Sequence, residues 1–339
     1  MKRLWLLVVS VIFAGIGATL VVVTHADTFA VNSESEQGTV AGKAMVVDDI
    51  QASAQKAVRF GDDSTTPPTG TDKPTAANTG VPIGQALTIV NGNQTYSSTT
   101  PTTISNKEFR GFIKVTGANI TFENCFFRGG NTTGNSALLD TENSQGTITV
   151  RDSEFAPMNP SASIDGLSAK NTTLVRVNIH GTVDGLKAGA NTLIQDSYIH
   201  DMAWFANDPN QGGGSTHNDG VQTLSGSNIT LRHNNIDMST SKEANAAWQV
   251  TQDFGLVSNI RAENNWLDGG SCTLNISHKQ FGDLSHPLTT AYITGNRFGR
   301  HRLFASCAIL VSTKVTLAQN SGNVYDDTGT PIPQPDRHD

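Results

Sequence analysis

Asn228-Ile-Thr-Leu-Arg-His-Asn-Asn-Ile236 is the stretch whose reading decides the fold, because the chain repeats it. It begins with Asn, continues as alternating Thr and aliphatic positions, passes an Asn or Asp, and closes on an apolar residue. It returns as Asn119-Ile-Thr-Phe-Glu-Asn-Cys-Phe-Phe127, Asn171-Thr-Thr-Leu-Val-Arg-Val-Asn-Ile179, Asn191-Thr-Leu-Ile-Gln-Asp-Ser-Tyr-Ile199 and Asn259-Ile-Arg-Ala-Glu-Asn-Asn-Trp-Leu267, with a looser copy ending at Phe298. The closing residues lie 20 apart from Ile179 to Ile199, and 31 apart from Ile236 to Leu267 and from Leu267 to Phe298. Self-similarity at such a period is the mark of a solenoid, each turn burying its apolar face against the next. Short alternating strands between Asn- and Gly-rich turns make it a β-solenoid. The expected fold is all-β: a single-domain right-handed parallel β-helix, with Ile179, Ile199, Ile236, Leu267 and Phe298 in one internal stack.

The ends follow other rules. Lys2 and Arg3 precede an apolar run from Leu4 to Val23, and Thr24-His25-Ala26 offers a small-residue cleavage site. The run is also long enough to span a bilayer. Residues 1–26 are therefore read as a signal peptide or as an uncleaved N-terminal anchor. Either way the chain is expected to be secreted or held at the cell surface. Residues 27–80, rich in Thr, Ser, Asp, Pro and Gly, are read as a disordered linker; residues 81–325 as the coil; residues 326–339 as a C-terminal tail. The formal net charge of -7 argues against nucleic acid as a partner, since that needs a basic stripe. An acidic ligand would need local cations or a bound metal ion.

The rung phrase, Asp-Gly before a strand, and the ending Gly322-Asn-Val-Tyr-Asp-Asp-Thr-Gly329 together resemble the right-handed parallel β-helix superfamily, the pectate-lyase-like fold, over roughly residues 105–330. Thr216-His-Asn-Asp-Gly-Val-Gln222, Gln252-Asp-Phe-Gly255 and Asn265-Trp-Leu-Asp-Gly-Gly270 are similar to a group of secreted bacterial β-helix repeat proteins of unestablished activity. The resemblance implies a fold shared by polysaccharide lyases, epimerases and several glycosidases, and one solenoid hosts many chemistries. The Asp-Asp and Gly-His-Gly pattern of polygalacturonases and the Asp-Pro-His motif of alginate epimerases are absent, so no catalytic residue carries over.

Insertions that break the period point to a site. The longest runs from His200 to Asn218, and loops of that length in a compact repeat usually carry function. It brings Trp204 and Phe205 as sugar-stacking platforms and returns through His217 onto Asp219 and Gln222. Asp165, Asp184 and Asp219 begin adjacent rungs in one phase. Asp184 and Asp219 are candidate Ca²⁺ ligands, since stacked carboxylates suit a hard cation. The competing reading of Asp-Gly is a structural corner, with Asp bonding its own backbone and Gly at positive φ. Lys187 is a candidate base if its pKa is lowered, and His217 has an intrinsic pKa suited to proton transfer. A lysine on an exposed strand and a histidine bonded to its loop are the plain alternatives. His180 and His200 stack in phase as a ladder or a metal pair, and His278-Lys279 with Arg300-His-Arg302 form a late basic patch.

The leading functional expectation is an exported carbohydrate-active protein, a polysaccharide lyase acting by β-elimination on an acidic polysaccharide, or an epimerase using the same geometry. There a cation neutralises a uronate carboxylate while a side chain removes the C5 proton. Lys187, His217 and Asp219 would be catalytic, and Trp204, Phe205 and Gln222 would bind substrate. The first alternative is a non-catalytic cell-surface protein that binds wall glycan, tethered to the membrane through its N-terminal segment. The second is a glycoside hydrolase pairing Asp201 or Asp208 with Asp219.

Ser271-Cys-Thr-Leu-Asn-Ile-Ser277 and Ser306-Cys-Ala-Ile-Leu-Val-Ser312 are one strand a rung apart. Cys272 and Cys307 then point inward at about 4.8 Å spacing, within disulfide reach. A disulfide suits an exported chain, and two stacked buried thiols are the equal alternative. Titration of the unfolded, unreduced chain separates the two: one thiol reacts if the pair is bonded, and all three cysteines react if it is not.

Overall fold

The computed structural model describes residues 44–48, 56–60, 72–277 and 287–337. The 1–26 segment and His278-Lys279 lie outside them. Residues up to Pro67 and from Pro68 onward form two units. In the first, Ala44–Asp48 pairs antiparallel with Lys56–Phe60. Both runs sit inside the expected linker. Averaging composition over 27–80 concealed them, because each is a short run containing valine and other apolar residues within a polar surround.

Among the described residues the second unit is three parallel sheets visited in turn by every rung. The first sheet runs from Thr88–Asn91 to Val324–Tyr325. The second runs from Gln94–Tyr96 to Asp336–Arg337, and the third from Thr102–Ser105 to Val315–Ser321. This is the right-handed parallel β-helix. Phe155 pairs with Ile179, Ile179 with Ile199, Ile199 with Ile236, Ile236 with Leu267, and Leu267 with Phe298. All are buried. Earlier rungs continue the column with aromatic rings: Phe127 and Phe155 stack with centroids 4.5 Å apart. Alternation works because one side of each strand faces the lumen.

The coil is longer at both ends than expected. Asp336–Arg337 pairs with Leu310 and Val311, so the C-terminal segment supplies a last strand. Residues expected to belong to the linker lie along the first sheet: Pro74 O accepts from Asn235 Nδ2 at 3.0 Å, and Gly80 N donates to Arg176 O at 2.9 Å. Main-chain groups that meet partners on the coil become ordered whatever the segment's composition.

Two side-chain amide ladders turn the corners. The first Asn of each phrase adopts left-handed backbone, with φ between 48° and 60° at Asn119, Asn171, Asn191, Asn228 and Asn259. Asn tolerates that conformation better than any residue except Gly. Asn259 donates to Asn228, Asn228 to Asn191, and Asn191 to Asn171, each at 2.9 Å, on the surface. The second ladder is buried. Asn234, Asn265 and Asn296 each donate both backbone N–H and Nδ2 to Oδ1 of the next, ending at Asn323. Nδ2 of Asn234, Asn265 and Asn296 also reaches a backbone carbonyl, of Ile194, Leu231 and Ala262 respectively. In earlier rungs Ser153 and Ser197 hold this place through their hydroxyls.

Asp-Gly proves not to be a positive-φ turn. Asp165-Gly166 and Asp219-Gly220 lie within strands of the second sheet, and Gly166, Gly185 and Gly220 do not have positive φ. They are glycine for space. A Cβ on Gly166 would stand 2.1 Å from Gly185 O, and one on Gly185 would stand 2.3 Å from Gly220 O.

Removing a buried rung amide strands several polar groups at once, whereas the surface ladder is backed by water. Asn265→Ala is expected to lower unfolding free energy by about 3 kcal/mol. Asn228→Gly, which keeps the left-handed corner, is expected to cost about 1 kcal/mol or less. Chemical denaturation of the two variants side by side checks the ranking.

Candidate functional site

The outer face of the second sheet carries one row of side chains fixed by register: Ser168 pairs with Lys187, Lys187 with Gln222, Gln222 with Gln249, and Gln249 with Asn275. Over the first part of this row lies a groove of about 490 Å³. Its floor is Asp165, Asp184, Lys187, Gln222 and Gln249. One wall is Asp208, Asn210, Gln211 and His217 from the long insertion; the opposite wall is Leu224, Thr251, Asp253 and Phe254. The insertion is closed at its base, where Thr216 N donates to Phe205 O and Asn218 Nδ2 to Ala203 O. At its tip Asp208 accepts from Asn210 N, and Asn210 Nδ2 crosses to Asn135 Oδ1 at 2.8 Å. The loop thus runs along the sheet edge as a wall.

Several expected residues are elsewhere. Trp204 is turned to the second insertion, where Nε1 donates to Glu243 and Lys242 Nζ lies 3.4 Å from the ring centroid. Neither Trp204 nor Phe205 lines the groove. The aromatic beside the floor is Phe254, 73% exposed. Its signal was present in Gln252-Asp-Phe-Gly255, as an aromatic in a turn directly after an outward Gln row. Asn245 and Gln249 were likewise legible one rung beyond Gln222.

Lys187 is not poised as a base. Its Nζ donates to Asp165 Oδ2 and lies 3.2 Å from Asp184 Oδ2. Burial works against the ammonium, but Asp184 and Asp165 outweigh it and raise the pKa. A lysine between two carboxylates holds its proton, the reverse of the lowering a general base needs.

The same contacts answer the Ca²⁺ expectation. Asp184 N donates to Asp165 Oδ1, and Asp219 N donates to Asp184 Oδ1 at 2.9 Å, so the three aspartates form one column. Lys187 takes the cation's place beside the first two. Asp219 is 0% exposed beneath the floor, where two lining side chains reach it: Gln222, with Nε2 at 3.3 Å, and Asn245. Burial, followed by the Asp184 charge, pushes its carboxyl well above the usual range. Burial and Asp165 lift Asp184 to about 6. Asp184 has one oxygen bonded to Asp219 N and the other facing Lys187, and Asp219 is shut beneath the floor, so neither presents a free carboxylate to a hard cation. Among the described residues no group of three or more His, Cys, Asp and Glu is arranged to hold a metal ion. The set does not fit Ca²⁺ there.

Asp201 and Asp208 are also occupied. Asp201 bonds Thr240 and His200, which together depress its pKa, and Asp208 caps the loop turn. Neither faces the buried Asp219 across a substrate path, so the carboxylate pair of the hydrolase reading is not assembled. His180 and His200 stack at 5.1 Å as a ladder, bonded to Glu154 and to Asn178 and Asp201. Of the late basic patch, Arg300 pairs with Asp327 and His301 with Asp268, while Arg302 is buried against backbone carbonyls and Tyr325.

No family model and no curated protein matches this chain. Among solved structures it is similar to the mannuronan C-5 epimerase AlgE4 A-module of Azotobacter vinelandii. The likeness covers 75% of this chain and 81% of that one at 11% identity, with a TM-score of 0.42. At that level it bears on no residue of the groove.

The aspartate column has a thermodynamic consequence. Asp184 and Asp219 bind protons more tightly folded than unfolded, so the folded state carries the extra protons. Stability therefore falls as pH rises from the ordinary value of 3.8 through about 6 for Asp184, and Asp219 contributes with the same sign. Asp219→Asn is expected to flatten this slope in thermal midpoints measured from about pH 4 to about pH 8. Lys187→Ala should be destabilising at neutral pH by about 1–3 kcal/mol, intermediate between a surface pair and a buried one.

Proposed function

We propose that the second sheet binds a polysaccharide chain over the coil face and that the protein is carbohydrate-active through this groove. The observation that carries the reading is the groove itself. A row of neutral amides, Gln222 and Gln249 with Asn245 beside them, forms the floor next to the exposed ring of Phe254. Sites of convergent polar groups beside an aromatic face suit sugars, which offer hydroxyls around a ring and apolar C–H faces. Amide side chains both donate and accept, so they match hydroxyls without demanding a charge.

Groove charge refines the class. Lys187 is already spent on Asp165 and Asp184, and Asp208 and Asp253 add further carboxyls to the lining. An incoming uronate would meet carboxylates without a spare cation among the described lining residues, at a Coulombic cost. We therefore favour a neutral glycan over the acidic polysaccharide that β-elimination and C5 epimerisation require. We assign proton exchange with a bound sugar to His217 on the exposed wall, since both Asp184 oxygens are already bonded, to Asp219 N and to Lys187. It would serve hydrolysis or transfer better than proton abstraction beside a metal ion.

The test is retention of the purified coil on neutral polysaccharides and polyuronates in affinity gels, with product analysis in parallel. Neutral glycans are expected to retard it and polyuronates not. Phe254→Ala and Gln222→Ala should each weaken retardation roughly fivefold to tenfold, about 1–1.4 kcal/mol, with unchanged thermal midpoints. Retardation by polyuronates alone would return the acidic reading.

A further inference from the structure

Leu303 and Phe304 are 73% and 57% exposed on a short turn near the end of the coil. Apolar side chains on a loose turn would fold down onto the nearest apolar surface; these are held out. Leu303 N donates to Gly270 O and Phe304 N to Ser271 O, fastening the turn to the rung before it. Cys307 N donates to Phe304 O, and Cys307 is joined to Cys272 by a disulfide, with Cα atoms 5.0 Å apart. Arg302 is buried beneath, its guanidinium bonded to Gly299 O, Ala305 O and Tyr325 Oη. A disulfide, a buried arginine and rung-to-rung backbone bonds thus fix one turn whose two central side chains face solvent. Such rigidity is of use to a ligand, because a platform already ordered costs less to bind.

The place of this turn follows from the ladder. Asn245 lines the groove, Ser271 N donates to Asn245 O, and Phe304 N donates to Ser271 O. Phe304 therefore stands two rung steps, about 10 Å, further along the coil than Asn245 on the same side of the sheet. The floor advances by the same two steps, from Gln249 to Asn275 and then Leu310. Both have partly exposed outward side chains between buried neighbours. The floor beyond the groove thus becomes progressively less polar beside the exposed apolar pair, and it remains continuous with the groove.

We infer that the binding surface extends past the groove over Asn275 and Leu310, and that Leu303–Phe304 is a second apolar platform for the same glycan chain. This rests on the groove being a glycan site. It adds that the ligand is a chain of several sugar units running obliquely over the coil face, with one unit against Phe254 at one edge of the sheet and a later one against Phe304 at the other. The disulfide then has a role beyond stability: it keeps the distal platform at fixed height above the floor.

The experiment uses the full chain and soluble cello-, manno- and xylo-oligosaccharides graded from disaccharide to octasaccharide, with affinities read by calorimetry. For the wild type, affinity in the series that binds is expected to climb again once the oligosaccharide can reach from Phe254 to Phe304. Phe304→Ala should remove that second rise, about tenfold at the longest ligand, and leave the shortest ligands untouched. Phe254→Ala should weaken short and long ligands alike. Leu303→Ser provides a second variant with the same expected signature, so the inference stays testable if Phe304→Ala does not fold. If both distal variants bind every length as the wild type does while Phe254→Ala is impaired, the groove reading stands and the extension falls. Equal weakening of short and long ligands by Phe304→Ala would show a structural effect transmitted to the groove, and would also overturn the extension. Absence of wild-type binding to any of the three series would instead count against the neutral-glycan reading itself.

Discussion

One constraint underlies the whole coil: every rung must end its strands at the same corner, and two of the corner positions carry side chains bonded from rung to rung. The buried run Asn234, Asn265, Asn296 and Asn323 is the clearest case. Inside the coil no water reaches the turn, so the backbone groups freed where a strand bends need partners from the chain itself. An asparagine serves both needs at once, because its Nδ2 donates to a carbonyl and to the next rung while its Oδ1 accepts from the previous one. With the corners locked, strand register follows, and with register fixed the aromatic and aliphatic columns stack in line.

That register also constructs the candidate site. A row of outward residues one rung apart is the automatic product of an in-line parallel sheet, and the row from Lys187 through Gln222 and Gln249 to Asn275 has no other cause. Its chemistry is set by what the strand places beneath it. Gly166, Gly185 and Gly220 let neighbouring rungs approach, and the aspartate before each glycine is drawn into a column against backbone N–H groups and Lys187. The cluster first suggests catalytic carboxylates with a basic lysine. In place it is an internal network of carboxyls and one lysine under a groove lined by amides, two further carboxyls, His217 and the ring of Phe254.

The two insertions and the disulfide turn act on the margins of this face. The 200–218 loop is zipped at its base and braced at its tip by Asn210 against Asn135, so it forms a wall along several rungs. Trp204 is engaged with Lys242 and Glu243, joining the two insertions to each other. The aromatic presented to the groove comes instead from a turn of modest length, at Phe254.

The rung phrase alone determined the coil, the inward stack from Ile179 to Phe298 and the facing of Cys272 toward Cys307, since periodicity dictates which residues share a side of a strand. It also marked the 200–218 insertion and the outward Gln222. Pair geometry was beyond its reach. Whether Lys187 is a free base or a locked ammonium depends on Asp165, 22 residues away, and on which oxygen of Asp184 is already taken by Asp219 N. Whether Trp204 faces a sugar or Lys242 depends on how two loops pack. Alternation within a strand is local and can be read along the chain, whereas burial, charge pairing and loop direction arise only when distant rungs are stacked.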